Sequence, residues 1–326
     1  MLSVMKMNDK ISIVIPTKNR PDDVVRCINS ISNQTLEPYE IVIVDASDSN
    51  ELKEIQSNFS KLNINYIHTE KPGLTIQRNI GIRECKGDII VFSDDDMIWD
   101  INYLKEILYV FNQYEGYKIG GVTGNIIWIS QKEKLSFSNI FLNKLIKNLK
   151  IFFLLPRSGN GFFQSSGHPT IITDEKEQIK RCEFLYGGTM TFRKDVIKKF
   201  MFDEHLTGYG LGEDDDIAYR VSRSHQNYFA PKALIVHNNI SQSSRGNKEN
   251  ESKIKIENWH YLFKKNIPQD KIHKIAFYWS ILGLIILEII NIFGNRNFSG
   301  MRGYIRGIRM IAHKKSDDKC RKNESG

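Results

Sequence analysis

Two runs of carboxylates and one histidine are the residues best equipped for chemistry in this 326-residue chain. The first run, Asp94-Asp95-Asp96, ends the apolar stretch Ile89 to Phe92. Such a stretch reads as a buried parallel strand, and ligands of open α/β sheets sit beyond the carboxyl ends of their strands. Three adjacent carboxylates repel one another, so something positive belongs nearby. A hard divalent cation shared with a phosphate meets that need; the plainer alternative is a solvated acidic turn or helix N-cap. The second run, Glu213-Asp214-Asp215-Asp216, opens a helix behind a loop containing Gly208, Gly210 and Gly212. Carboxylates there complement the helix dipole, which is the role expected of Asp216. Asp214, fed into a cleft by a glycine-rich loop, suits a general base under a lid. His237 follows the short apolar strand Ala233 to Val236. Its imidazole suits a third ligand for a manganese-type ion, and the polar stretch Ser241 to Gly246 is expected to fold over a phosphate.

The elements that must position these groups alternate. Ile11 to Ile15 reads as a strand stopped by Pro16-Thr17-Lys18-Asn19-Arg20-Pro21, with Pro21 and Asp22 suited to a first helical turn. Glu40 to Val44 is a second strand ending at Asp45. A helix from about Asn50, a strand over Ile64 to His68, and a helix over Leu74 to Glu84 carrying Arg78 and Asn79 precede the strand before the acidic run. This order predicts βαβ units and a parallel sheet. Right-handed crossovers put the strand ends on one rim, so Pro16 to Arg20, Asp45 and Asp94 to Asp96 converge there. A helix near Tyr103 to Tyr114 and a strand over Ile119 to Trp128 continue the pattern. Ser158 to Thr170 is expected as a mobile Gly/Ser loop, and Glu183 to Phe192 as a strand. Gly188 within that strand lets a ligand approach the backbone, or marks a bulge.

Composition narrows the partners. With 40% hydrophobic and 26% charged residues the chain holds an ordinary globular core. A formal net charge of +8 favours anionic partners. The scattered cysteines Cys27, Cys85, Cys182 and Cys320 contain no Cys-x-x-Cys pair, which argues against a zinc site or a disulfide framework and for a reducing cytosol. Met1 to Lys10 has no apolar core of signal-peptide length. The glycine fingerprints of dinucleotide-binding and P-loop proteins are absent, which counts against dehydrogenases and P-loop NTPases. Nucleic acid is not expected as a partner, because the positive residues cluster beside apolar helices rather than among exposed aromatics.

Two segments point to a membrane surface. Asn139 to Leu155 sets Phe141, Leu145, Leu149 and Phe152 against Lys144, Lys147 and Lys150, a basic amphipathic helix; a helix packed on the body with solvated lysines fits equally. Ile275 to Gly294 is apolar enough to cross a bilayer, though Glu288 would be costly at depth, so an in-plane helix rivals a span. Arg296, Arg302, Arg306, Arg309, Lys314 and Lys315 follow, suited to an anionic cytoplasmic leaflet.

Six ordered pieces resemble a family 2 glycosyltransferase of the GT-A fold: Ile13 to Arg20; Glu40 to Asp45; Gln77-Arg78-Asn79-Ile80-Gly81-Ile82; Asp94-x-Asp96; Gly187-Gly188-Thr189-Met190; and Glu213-Asp214-x-Asp216. The resemblance covers roughly Ile11 to His237. It implies an α/β fold with a Rossmann-like, mostly parallel sheet in residues 1–240, an acceptor-side half over 118–240 with an insertion at 130–181, and a helical membrane-associated region in 241–326. It implies inverting sugar transfer from a nucleoside-diphosphate sugar, a UDP-sugar first, to a glycan or lipid-linked acceptor. Mn2+ or Mg2+ would be held by Asp96 and His237, with Asp94 on metal or ribose. Asp214 would be the catalytic base. Pro16, Thr17, Arg20, Asp45, Arg78, Asp95 and Gly188 would line the nucleotide. Where relatives often carry a second Asp after Asp45, Ala46 stands, and Asp95 has no assigned role. The C-terminal segment is similar to members that build surface polysaccharides at the cytoplasmic face of the cell membrane, either peripheral or single-pass. Competing readings are a nucleotidyl or phosphoryl transferase on the same acidic rim, and a non-catalytic membrane-bound binding protein.

Overall fold

Strands and helices alternate from the start, as the hydrophobic spacing requires: β1 (Ile11–Thr17), α1 (Pro21–Ser32), β2 (Glu40–Asp45), the one-turn α2 (Ile55–Asn58), β3 (Ile64–His68), α3 (Leu74–Glu84) and β4 (Ile89–Phe92). Then come β5 (Met97–Trp99), α4 (Tyr103–Gln113), β6 (Ile119–Trp128), α5 (Phe137–Phe152), β7 (Arg157–Gly159), β8 (Thr170–Ile172), β9 (Lys180–Cys182), β10 (Met190–Arg193), α6 (Lys194–Phe200), α7 (Glu213–Ser222) and β11 (Gln226–His237). The helices α8 (Lys248–Asn266), α9 (Lys271–Asn295) and α10 (Ser299–Glu324) close the chain. The computed structural model describes residues 9–49, 51–128, 137–172, 178–237 and 247–324. The expected helix start at Asn50 and the Ser241 to Gly246 stretch lie outside the described residues, as do the side chains of Phe141, Lys314 and Lys315.

One sheet runs β3-β2-β1-β4-β10-β6-β11-β5, with β9 paired to β11. β1, β2, β3 and β4 pair in parallel, as do β6 and β11. β10 is antiparallel to both β4 and β6, and β5 and β9 are antiparallel to β11. The continuous apolar runs follow from burial on both faces. Val24, Cys27, Ile28 and Ile31 of α1 join Tyr103, Leu104 and Ile107 of α4 in one core. Ile82, Val196, Ile197, Ile217 and Val221 from α3, α6 and α7 join the other.

Three expectations are revised. Glu183 to Phe192 is a strand only from Met190; Gly187–Thr189 form a 3-10 turn, closed where Thr189 N donates to Tyr186 O at 3.0 Å. The Ser158 to Thr170 loop is anchored, with Ser166 and His168 buried and Ser166 Oγ donating to Leu154 O at 2.6 Å. The final strand starts at Gln226, because a register shift between Phe229 and Leu234 absorbs Pro231 and resumes pairing to His237.

The chain divides into two units. One comprises Met1–Gln131, Gly159–Phe162 and Ile171–Asn239; the other comprises Lys132–Ser158, Phe163–Thr170 and Ile240–Gly326. The sheet lies in the first, and α8, α9 and α10 with most of the insertion lie in the second. The second unit has its own core, with Phe153, Leu155, Ile256, Leu284 and Tyr304 buried together.

α3 packs unusually close to β1. A Cβ added at Gly81 would lie 2.3 Å from Val14 Cγ1. Gly81→Ala is expected to cost about 1–3 kcal/mol through overpacking. Urea unfolding should show a lower midpoint with an unchanged slope; an unchanged midpoint would refute the close approach.

Candidate active site

Strand register brings the acidic groups together. Thr17 is the partner of Asp45 across β1 and β2, and Val14 the partner of Phe92 across β1 and β4. The residues after Phe92 therefore emerge beside the end of β1. β11 pairs His237 with Met97 on β5 and with Trp128 on β6, which sets the imidazole next to the acidic turn.

Within that turn the three carboxylates point to different partners. Asp95 is buried, accepting from Thr17 Oγ1 at 2.7 Å and from Arg20 at 3.0 Å. It thus holds the β1 exit loop, a role the sequence did not reveal. Asp96 Oδ2 lies 3.4 Å from the same guanidinium. Asp96 Oδ1 accepts no hydrogen bond among the described residues and faces His237 Nε2 at 3.5 Å. Trp128 stacks on the imidazole with ring centroids 4.6 Å apart. Burial, ahead of the neighbouring carboxylates, pushes the Asp95 carboxyl up to about 7 and the Asp96 carboxyl up to about 6. The cluster is short of positive charge even with Arg20 present.

That donor set fits a divalent ion in part. Among the described residues, no three His, Cys, Asp or Glu side chains form a complete cage. Asp96 Oδ1 and His237 Nε2 converge at 3.5 Å, two groups that could serve as ligands. A Mg2+- or Mn2+-type ion is held by one or two protein groups and takes its remaining places from phosphate and water. Asp94 stands apart from that pair, because Oδ1 accepts from Arg78 at 3.0 Å. Its side chain keeps a third of its surface open.

Arg78 links the two acidic runs. Its side chain is 1% exposed. One nitrogen contacts Glu213 Oε1 at 2.5 Å; the other donates to Asp94 and, at 3.1 Å, to Gly187 O. Arg78 is therefore an internal ion pair, and not a group on the helix surface. Phe92 and Phe202 face the guanidinium at 5.8 and 5.3 Å. Burial raises the Glu213 carboxyl to about 8 despite this partner. Asp214, next along α7, is half-buried and also raised, burial leading, while the Asp215 amide and Arg78 pull the other way. Gly187 and Gly188 pass between the runs. A Cβ on Gly187 would lie 3.4 Å from Asp214 Oδ2, and one on Gly188 would lie 2.9 Å from Asp94 Oδ2 and 2.3 Å from Met97 Cε. A side chain at Gly188 would have to displace Met97 and Asp94, and the backbone forms the floor between Asp94 and Asp214.

The remaining candidates sit at the ends of β1 and β2 and on α7. Pro16 is buried in β1. Asp45 is fully buried, and both its oxygens are engaged: one accepts from Ser47 N at 2.8 Å and Ser47 Oγ, the other from Tyr66 OH at 2.9 Å. Asp216, expected only to complement the helix dipole, also pairs with Arg220 at 2.8 Å. Sequence reasoning missed Glu213 as the anchor of Arg78, and Trp128. Only the Glu-Asp pairing at the start of α7 hinted at the former.

The family model described as Glycosyl transferase family 2 matches residues 12–199. A chondroitin synthase of Pasteurella multocida is 26% identical over 237 residues, covering 66% of this chain and 23% of that protein. The chain spans between 14% and 37% of the length of these curated relatives. Among solved structures, GalNAc-T7 with UDP, GalNAc and Mn2+ superposes with a TM-score of 0.60 at 18% identity, covering 83% of this chain and 50% of that one. Staphylococcus aureus TarS 1-349 in complex with UDP-GlcNAc gives 0.58 at 15% identity, covering 91% and 79%. These neighbours establish a GT-A-like fold with a mostly parallel sheet and flanking helices.

Two outcomes follow from the buried charges. Arg78→Met leaves Glu213 and Asp94 without their cation and is expected to cost about 3–5 kcal/mol above pH 8, where Glu213 is ionised. The loss should shrink as pH falls through about 8 and Glu213 protonates; a pH-independent loss in urea titrations would refute the ion-pair account. Asp95 has a folded pKa raised from 3.8 to about 7. Its contribution to stability is full below about pH 4 and is lost as pH rises through about 7. Asp95→Asn should flatten that part of the melting-temperature profile of metal-free protein.

Proposed function

The chain belongs to glycosyl transferase family 2, and from that premise we propose that it transfers a sugar from a nucleoside-diphosphate sugar to an acceptor hydroxyl with inversion at the anomeric carbon. The observation that carries this reading is the convergence on one rim of Asp96 with His237, and of Asp94 with Glu213 and Asp214 through Arg78. Asp214 takes the proton of the acceptor hydroxyl as its oxygen bonds to the anomeric carbon. The bond to the donor's diphosphate breaks with its electron pair, and a nucleoside diphosphate leaves. A divalent cation held by Asp96 and His237, when bound, neutralises the charge developing on that leaving group.

The chain's own residues do the rest. The raised Asp214 carboxyl is a better proton acceptor than an ordinary aspartate, provided it is ionised at the working pH. Arg78 keeps Asp94 in place for the ribose or the cation. Thr17 and Arg20, fixed by Asp95, border the nucleotide with Pro16, and Asp45 acts there through Ser47 and Tyr66, which occupy its oxygens. Gly188 gives the donor sugar access to the backbone floor. A UDP-sugar is the first donor to test, since the solved neighbours include complexes of UDP and UDP-GlcNAc. The acceptor class is a glycan or lipid-linked hydroxyl at the cytoplasmic face of a membrane. Support comes from the polysaccharide synthase among the relatives and, among the described residues, from a helix, Lys271–Gly294, that is long and apolar enough to cross a bilayer.

A panel of nucleotide-sugars with Mn2+ should reveal one that releases nucleoside diphosphate. Asp214→Asn is expected to bind that donor normally while turnover falls about 10²- to 10⁴-fold. Near-normal turnover would move the base elsewhere. Asp96→Ala, or a chelator, should weaken nucleoside diphosphate binding in calorimetry; equal affinity would overturn the cation assignment.

A further inference from the structure

Helix α9 is apolar almost throughout, yet its two faces have different environments. Phe277, Ser280, Leu284 and Glu288 are buried. On the opposite face Ile272, Ile275, Trp279, Leu282, Ile289 and Phe293 are exposed, with Phe293 at 83%. Those positions recur at three- and four-residue spacing, one stripe along the helix. A span surrounded by lipid would have no reason to keep one face packed.

The packed face argues against a span. α8 runs antiparallel beside it: Phe263 stacks on Phe277 at 4.3 Å, and Lys248 Nζ pairs with Glu288 Oε1 at 3.2 Å. α8 carries Glu249, Glu251, Lys253, Lys255 and Glu257 within this stretch. Glu249 in turn pairs with Arg302 at 3.1 Å and Arg306 at 2.5 Å of α10. Burying α9 across a bilayer would carry this charged helix alongside it into hydrocarbon, where ionised side chains are costly.

The exposed face continues onto α5. Trp279 Nε1 donates to Phe152 O at 2.9 Å, and their rings lie 5.2 Å apart. Phe152, Leu145 and Ile151 are exposed as well. Lys144, Lys147 and Lys150 share α5, and residues 137–172 contain no Asp or Glu. Lys271 and Lys274 sit at the start of α9, and its sole carboxylate, Glu288, is buried and paired. Isolated exposed apolar residues need no account, but a contiguous stripe does. A stripe edged by cations, with no exposed carboxylate on the same helices, is complementary to an anionic lipid surface.

We propose that the second unit docks on an anionic bilayer with α9 lying in the membrane plane, through one apolar face shared by α5 and α9, and that α9 does not span. This deepens the membrane placement given above and is independent of the sugar-transfer chemistry.

The full-length chain tests it in three arms. Membranes from expressing cells are washed with alkaline carbonate; release of the protein is expected, and retention would overturn the in-plane placement while leaving membrane residence intact. Protein that is already soluble before the wash would sink both. Flotation with vesicles of phosphatidylcholine alone, or with about a third phosphatidylglycerol, should show at least about tenfold tighter binding to the anionic set. Lys144→Gln, Lys147→Gln and Lys150→Gln together should remove most of that gain, and Ile275→Asn with Phe293→Asn should lower binding to both sets. All five positions tolerate polar residues, so unchanged melting curves confirm folding. Equal binding by these variants, or a lipid-free dimer in ultracentrifugation that both apolar changes dissolve, would assign the face to another occupant. Donor hydrolysis, measured in parallel, should persist in every variant, so failure of the docking arms and failure of the transferase reading are told apart.

Discussion

A single buried guanidinium allows the two acidic runs to coexist. Arg78 reaches Asp94 on one side and Glu213 on the other from a position 1% exposed to solvent. Like charges in a low-dielectric setting would otherwise protonate or move apart. The helix that carries Arg78 is specialised for this. Its neighbours Gln77 and Asn79 are buried too: Gln77 Nε2 donates to Thr17 O and Val44 O at 2.8 Å each, and Asn79 Nδ2 donates to Phe202 O at 3.0 Å. Three consecutive side chains tie the ends of β1 and β2, the acidic runs, and the segment leading to α7. Gly81, one turn on, lets the helix come near enough to β1 for these reaches to close.

The acidic turn after β4 shows how local geometry divides labour among identical residues. Successive side chains leaving a strand cannot all face the same way. Asp95 turns inward and fixes Thr17 and Arg20, while Asp94 and Asp96 remain on the rim. The inward carboxylate is held partly protonated by burial, and Arg20 is shared between it and Asp96. The strands thus supply position, and two arginines supply enough charge to keep the rim assembled.

Much of this was legible from sequence because the physics was local. The apolar runs before Asp45 and Asp94 are strands because burial on both faces leaves no polar alternation, and their order specifies the rim. Gly187 and Gly188 stood out by type, yet the 3-10 turn there leans on Thr123, which is distant in sequence, as well as on the adjacent Tyr186. Arg78 was harder: α3 buries Thr75, Gln77, Arg78 and Asn79 beside only one large apolar side chain, Ile82, so its inward face has little apolar signature. Asp95 and Glu213 were opaque for the same reason, since their partners come from strand register and not from spacing. The placement of β10 between β4 and β6, antiparallel to both, follows from a chain reversal that no short motif announces.

The second unit draws on chain from either side of the last strands of the sheet: α5 precedes β9, β10 and β11, while α8, α9 and α10 follow them. During synthesis, α5 leaves the ribosome well before the helices that bury Phe153 and Leu155 exist. Domains made of contiguous chain fold as they emerge; this one must wait. The delay leaves an apolar, basic helix without its core partners through the making of the intervening strands. The order of events in translation is thereby written into the connectivity of the fold.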